Sequence, residues 1–295
     1  MAFKNGDLYV SSVSSIYKIT DVMKAVNQNK KPSLEVFYDG LPKVKNYQEF
    51  ENHAWKYIKF GPDGHLYIIS SSNCNACEPK HQNEGVLGRI HLDTKKMEVL
   101  ARGIRSSSGF ALNKSNDHIY FTDNGRERYK PGQIPDEINL LRPNQSTPHF
   151  GFPHCYGKST IDKNFKKHKN CKPFHAPIFE LPPHSAPLGL VLYSGNLLPR
   201  KNKQNLLLFL AEHGTRALNM KHKINGYQIR RIELLPDGTT VLSSTPLVTN
   251  FIQKAPTINT QGRPVDIIEM DDGSLIFSDD YKGAIYRITY NGTEI

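Results

Sequence analysis

The residues best suited to chemistry lie in the stretch 51–77, ENHAWKYIKFGPDGHLYIISSSNCNAC. His53 stands just ahead of an apolar strand, a tight turn from Gly61 to Gly64 and a second strand. An imidazole titrates near neutrality, so a histidine at a strand mouth is a candidate proton acceptor in general-base catalysis. The plain alternative is a surface or hydrogen-bonded structural histidine. The chain has four cysteines, Cys74 and Cys77 as a C-x-x-C pair, then Cys155 and Cys171. A zinc site with two C-x-x-C arms needs a second close pair, which the later two do not form. A thioredoxin-like role needs a βαβ context that is missing. Two disulfides in an oxidising compartment fit best.

The elements that must position these residues are strands. A turn rich in Gly, Asp or Asn, followed by an alternating apolar strand, recurs as NGDLYVSSV from Asn5, DGHLYIISS from Asp63 and NDHIYFTDN from Asn116. It returns as KQNLLLFLAEHG from Lys203 and DGSLIFSDD from Asp272. A period of two in a repeating strand–turn unit predicts an all-β chain, a β-propeller with one copy per blade. Successive copies, measured from Leu8 through Leu66, Ile119 and Leu207 to Leu275, lie 58, 53, 88 and 68 residues apart. A minimal four-stranded blade takes roughly 40–45 residues, so the excess belongs to long loops, where function usually sits. The longest insertion, from Gly125 to Pro199, carries Cys155 and Cys171, and a disulfide there would pin a polar, proline-rich loop. Helical periodicity is confined to a short stretch from about Thr20 to Gln28.

Bulk composition narrows the partners. The 38 basic and 28 acidic residues leave a formal charge of +10, scattered between strands with no nucleic-acid-binding motif. A solvated basic surface, able to steer a small anion, is the reading this supports. No apolar run approaches the roughly 18 residues of a membrane span. The opening MAFKNGDLYV has no apolar signal region and reads as the middle of a strand repeat.

Eight blocks resemble, in order, the glucose/sorbosone dehydrogenases. They begin with NHAWKYIKFGPDGHLY and its CNAC, then TDNGRER from Thr122 and PDEIN from Pro135. HFGFPHCYG from His149, HSAPLGL from His184, AEHG from Ala211, GRPVDI from Gly262 and SDDYKGAIYRITY from Ser278 complete the set. The resemblance implies a six-bladed-type propeller carrying pyrroloquinoline quinone (PQQ) and Ca2+, and oxidation of an aldose or related sugar by hydride transfer. Only five repeats are present, so the expectation is a single domain over residues 1–295 with about five blades, shortened by roughly one blade at the N-terminal side.

The same resemblance implies the site. His53 is the general base, and Asn52 beside it touches substrate or orients the ring. Arg105, in GIRSSSGF, stands near the quinone oxygen that gains negative charge, with Ser108 donating to the cofactor. Relatives carry Arg-Asn here, whereas this chain has Arg105-Ser106. Arg263 matches an arginine that pairs with a PQQ carboxylate, the alternative being a salt bridge to Asp266 or Asp279. His213 and Arg216 occupy a cofactor-contacting region. Calcium is expected on backbone carbonyls near Gly125 and Arg126, with Asp136 and Glu137 as nearby carboxylates whose plain role is loop hydrogen bonding.

The expected partners are a sugar and an external electron acceptor, with no nucleic acid and no membrane span. The expected location is secreted or periplasmic, on the strength of the cysteines and family habit. Sequons at Asn113, Asn144 and Asn291 are compatible with it, though such tripeptides are common by chance. The alternative is a propeller of the same descent that has lost turnover and binds carbohydrate or protein. A calcium-dependent lactonase-like hydrolase would need a convergent set of carboxylate or asparagine side chains, for which Asp123 and Asn124 are the candidates.

Overall fold

Strands that are apolar along most of their length must be covered on both faces, and three of the five recurring strands, beginning at Leu66, Ile119 and Leu206, are of that kind. In the computed structural model, described for residues 1–43, 53, 55–126, 134–143, 145–165, 167–215, 224–253 and 258–292, each repeat becomes the second strand of its own antiparallel sheet. These sheets are the blades of a β-propeller, five among the described residues, as the repeat count predicts.

The chain divides into two compact units. The first comprises Met1–Ser108, Asn144–Cys155 and Ile161–His175. Its first blade is β1 (Ala2–Lys4), β2 (Asp7–Ser11), β3 (Ile16–Ile19) and β4 (Glu35–Tyr38). Between β3 and β4 lies helix α1 (Val22–Asn27), inside the span that periodicity assigns and with no buried residue. The second blade is β5 (Lys56–Phe60), β6 (Leu66–Ser70), β7 (Val86–Ile90) and β8 (Met97–Arg102).

All five residues of β6 are buried, and it pairs Leu66 with Phe60 on one side and Ile90 on the other. The turn feeding it is closed by the Gly64 amide donating to the Gly61 carbonyl at 3.0 Å and by Asp63 Oδ1 accepting from the His65 amide at 3.1 Å. Gly64 has a φ of 81°, in the region that favours glycine. The core of this unit joins Tyr9, Ile16, Phe37 and Leu41 to Ile58, Leu66, Ile68 and Ile90.

The second unit comprises Gly109–Pro143, Tyr156–Thr160 and Ala176–Ile295. Its first blade contains β9 (Phe110–Leu112), β10 (Ile119–Asp123) and β11 (Asp136–Leu141). The chain then forms the short hairpin β12 (Cys155–Tyr156) and β13 (Thr160–Ile161) before β14 (Phe179–Leu181) completes that blade. The next blade is β15 (Pro187–Tyr193), β16 (Leu206–Glu212), β17 (Gln228–Leu234) and β18 (Val241–Val248). A small hairpin follows, β19 (Ile252–Gln253) and β20 (Asn259–Thr260). The last sheet is β21 (Pro264–Glu269), β22 (Leu275–Asp279) and β23 (Ala284–Ile288).

Two features refine the sequence reading. The insertion from Gly125 to Pro199 is not loop throughout, since it supplies the blade strands β11, β14 and β15. Strand β11 escapes the alternation test because its six buried positions include Asp136, Glu137 and Asn139. The cysteines pair as expected, Cys74 with Cys77 and Cys155 with Cys171, at Cα separations of 6.1 and 5.8 Å. No helix among the described residues is long and apolar enough to cross a membrane.

Candidate functional site

In the first unit, His53 lies just before β5 and is buried, with 7% of its surface exposed. Its Nδ1 has no hydrogen-bond partner among the described residues. Burial lowers its pKa from the ordinary 6.5 to about 3, helped by the positive charges of Arg105 and then Lys56; hydrogen bonds with the backbone of Cys74 and Ser72 oppose the shift. The imidazole is therefore neutral at physiological pH. Lys56, the buried first residue of β5, is itself pulled down to about 8 by burial, with Glu84 acting in the opposite direction.

Arg105 is 2% exposed and is brought to His53 by the loop between β8 and β9. Its Nε donates to the Asn75 carbonyl at 2.9 Å and its Nη2 to Asn75 Oδ1 at 2.7 Å. Asn75 is one of the two residues enclosed by the Cys74–Cys77 disulfide. The same loop is tied from below by Glu84, which accepts from the Asn73 amide at 2.9 Å and the Lys80 amide at 3.1 Å. It is joined to the Arg105 loop by the Ser72 amide donating to the Arg105 carbonyl at 2.8 Å and by the Ser107 amide donating to Ser71 Oγ at 3.1 Å. Ser106 is buried and Ser108 half-buried in that segment.

The second unit gathers His213 and Arg263. His213 Nε2 faces the Asp280 carboxylate, and burial followed by the Arg263 charge lowers its pKa while Asp280 raises it. Arg263 Nε donates to the His213 carbonyl at 3.1 Å and Nη2 to the Gly214 carbonyl at 2.9 Å. The guanidinium lies 5.6 Å from the centre of the Tyr227 ring. It forms no ion pair with Asp266 or Asp279; instead its backbone amide donates to Asp279 Oδ1 at 3.0 Å. The edge of the guanidinium bearing Nη1 makes no hydrogen bond among the described residues. A cation held by carbonyls rather than by a carboxylate fits a polycarboxylate ligand such as PQQ.

Gly125 sits close to the chain, where a Cβ would come within 2.5 Å of the Pro135 carbonyl oxygen. Its amide donates to Asp136 Oδ1 at 2.7 Å, while Asp136 Oδ2 accepts from the Ala186 amide at 2.8 Å. Asp136 thus does the loop hydrogen bonding that its plain reading assigns. Buried Glu137 accepts from the Gly157 amide and from Asn139 Nδ2. Its carboxyl is held well above the ordinary range by burial and then by the Asp123 charge. Among the described residues no three His, Cys, Asp or Glu side chains are grouped to hold a metal ion. Asn52 and Arg216 lie outside the described residues.

Sequence reasoning passed over Asn75, Lys56 and Asp280. The C-x-x-C pair marked a constrained loop, and a lysine opening an apolar strand marked a buried charge, but neither named its partner.

Comparison with known proteins bears on the whole chain. The family model described as glucose/sorbosone dehydrogenase matches residues 4–287. An uncharacterized protein of Borreliella burgdorferi is 34% identical over 292 residues, covering 96% of this chain and 73% of its own length. A calcium structure of the Trichoderma reesei carbohydrate-active enzyme of family AA12 superposes with a TM-score of 0.76 at 16% identity, over 96% of this chain and 77% of that one. The PQQ-bound aldose sugar dehydrogenase of Streptomyces coelicolor gives a TM-score of 0.58 at 18% identity, over 92% and 68% of the two chains.

Proposed function

This chain belongs to the glucose/sorbosone dehydrogenase family, and we propose that it oxidises the hemiacetal carbon of an aldose to the lactone, with His53 as general base and PQQ as acceptor. The observation that carries the reading is a buried, neutral imidazole whose Nδ1 has no partner among the described residues, within reach of the charge of a buried arginine. A bound quinone would supply the acceptor for the hydride leaving the sugar carbon.

The remaining work falls to the chain. The sugar hydroxyl loses its proton to a nitrogen of His53 and the carbon gives up a hydride, so the sugar loses two hydrogens and one electron pair in all. Burial first, and then the Arg105 charge, make His53 a weak base. An anion seated against Arg105 offsets that charge and strengthens the base where the proton must go. The Nη1 edge of Arg263 is the donor for a cofactor carboxylate, with His213 beside it. Ser108 is a further donor to the cofactor, Asn52 a substrate contact, and the carbonyls of Gly125 and Arg126 the ligands for Ca2+. The two disulfides support a secreted or periplasmic location, where such bonds persist.

The test is reconstitution with PQQ and Ca2+ while aldose-dependent dye reduction is followed, in the protein and in His53→Ala. Turnover that falls by about a hundredfold or more in the variant supports the reading. Turnover unchanged by the substitution overturns it. PQQ binding with no turnover in either protein would favour the binding-module alternative.

A further inference from the structure

Arg105 reaches His53 from a loop with no regular structure, and a long flexible side chain in such a loop has many rotamers to lose. Asn75 removes part of that freedom. Asn75 presents its backbone carbonyl and its side-chain oxygen to the same guanidinium, at 2.9 and 2.7 Å. Two acceptors on one residue match the fixed fork of arginine, a geometry that lysine cannot reproduce. Asn75 is itself constrained by the Cys74–Cys77 closure around it and by the Glu84 carboxylate on the amides of Asn73 and Lys80. The same loop offers the backbone of Ser72 and Cys74 to the His53 ring. One disulfide-closed turn therefore contacts both members of the proposed pair.

We propose that Asn75 is a positioning residue, which holds Arg105 in place against His53 and is held in turn by the Cys74–Cys77 loop. The proposal rests on His53 and Arg105 being the working pair of the reading above. A residue with this task acts on chemistry through Arg105 and leaves sugar binding largely alone.

Among the described residues, the charged groups facing His53 are Arg105 from the β8–β9 loop and Lys56 from β5, with Glu84 beside Lys56. Loosening Arg105 removes part of the positive charge that disfavours the imidazolium. The titration midpoint of His53, followed by NMR of the imidazole in cofactor-free protein, is therefore a readout independent of activity. In Asn75→Ala it is expected to rise by about one pH unit. Arg105→Ala should raise it at least as far, and adding Asn75→Ala to Arg105→Ala should add nothing further.

With PQQ and Ca2+ present, Asn75→Ala should lower kcat about tenfold with KM changed less than about threefold. Asn75→Asp, which keeps both acceptors, should retain most of kcat. If Asn75→Ala does not fold, Arg105→Lys is the second arm. It keeps the charge but cannot engage both oxygens, and is expected to lower kcat with little change in KM. A His53 midpoint unmoved in Asn75→Ala, or moved equally in the Arg105→Ala background, would overturn the proposal. A midpoint that moves as expected in a protein without turnover would uphold the positioning role and defeat the dehydrogenase reading alone.

Discussion

His213 Nε2 lies 3.0 Å from Oδ1 and 3.1 Å from Oδ2 of Asp280, so the ring nitrogen addresses the middle of the carboxylate. Asp280 raises the His213 pKa against burial and the Arg263 charge, which lower it. Asp280→Asn removes that support, and the His213 midpoint should fall further below its ordinary value. Imidazole NMR across an acid titration checks this, and an unchanged midpoint would show that the contact carries no charge interaction.

Stability should decline on mild acidification. His53 and His149 titrate at about 3 and about 4 in the folded chain, against the ordinary 6.5; burial is the main cause in both, and for His149 the charges of His154, His168 and Arg102 add to it. The unfolded chain takes up protons that the folded chain refuses, so the stability present above 6.5 is lost as pH falls through these folded values. Each histidine contributes a slope of up to about 1.4 kcal/mol per pH unit in that window. Urea unfolding at stepped pH measures it, and His53→Gln should flatten the slope by one histidine's share.

Breaking the Cys155–Cys171 bridge should cost stability without touching His53. The bridge closes a loop of sequence separation 16, for which chain entropy gives about 3 kcal/mol. The double variant Cys155→Ala/Cys171→Ala should show a lower thermal midpoint while the His53 titration stays where it is. A shift in that titration would mean that the bridged loop also supports the base.

Arg263→Lys should weaken PQQ binding nearly as much as Arg263→Gln, by roughly tenfold or more. The two carbonyls at His213 and Gly214 are arranged for a planar fork, and an ammonium cannot serve them and a ligand carboxylate together. PQQ titration followed by absorbance checks this. Full affinity in the lysine variant would show that charge alone is enough.

Much of the fold is legible along the chain because the second strand of each blade is announced by a turn, and β6, β10 and β16 are buried on both faces. LYIIS at β6 and IYFTD at β10 leave little choice of element. Strand β11 was hidden because DEINLL buries acids and an amide, which pattern reading treats as loop. The position of His53 follows from the strand it precedes. Its partners do not, since Arg105 meets Asn75 across 30 residues and His213 meets Asp280 across 67. Such contacts depend on which loops fold back beside each other, and local periodicity carries no record of that.

Asp136 grips the amides of Gly125 and Ala186 with its two carboxylate oxygens. One side chain thus fixes both ends of the excursion that makes the third interval between repeats the longest. With the ends clamped, lengthening the excursion adds closure entropy only logarithmically, about 0.6 kcal/mol for each doubling. Since β11 and β14 inside it are paired blade strands, the part that this scaffold can lengthen or shorten over generations is the stretch between Leu141 and Phe179.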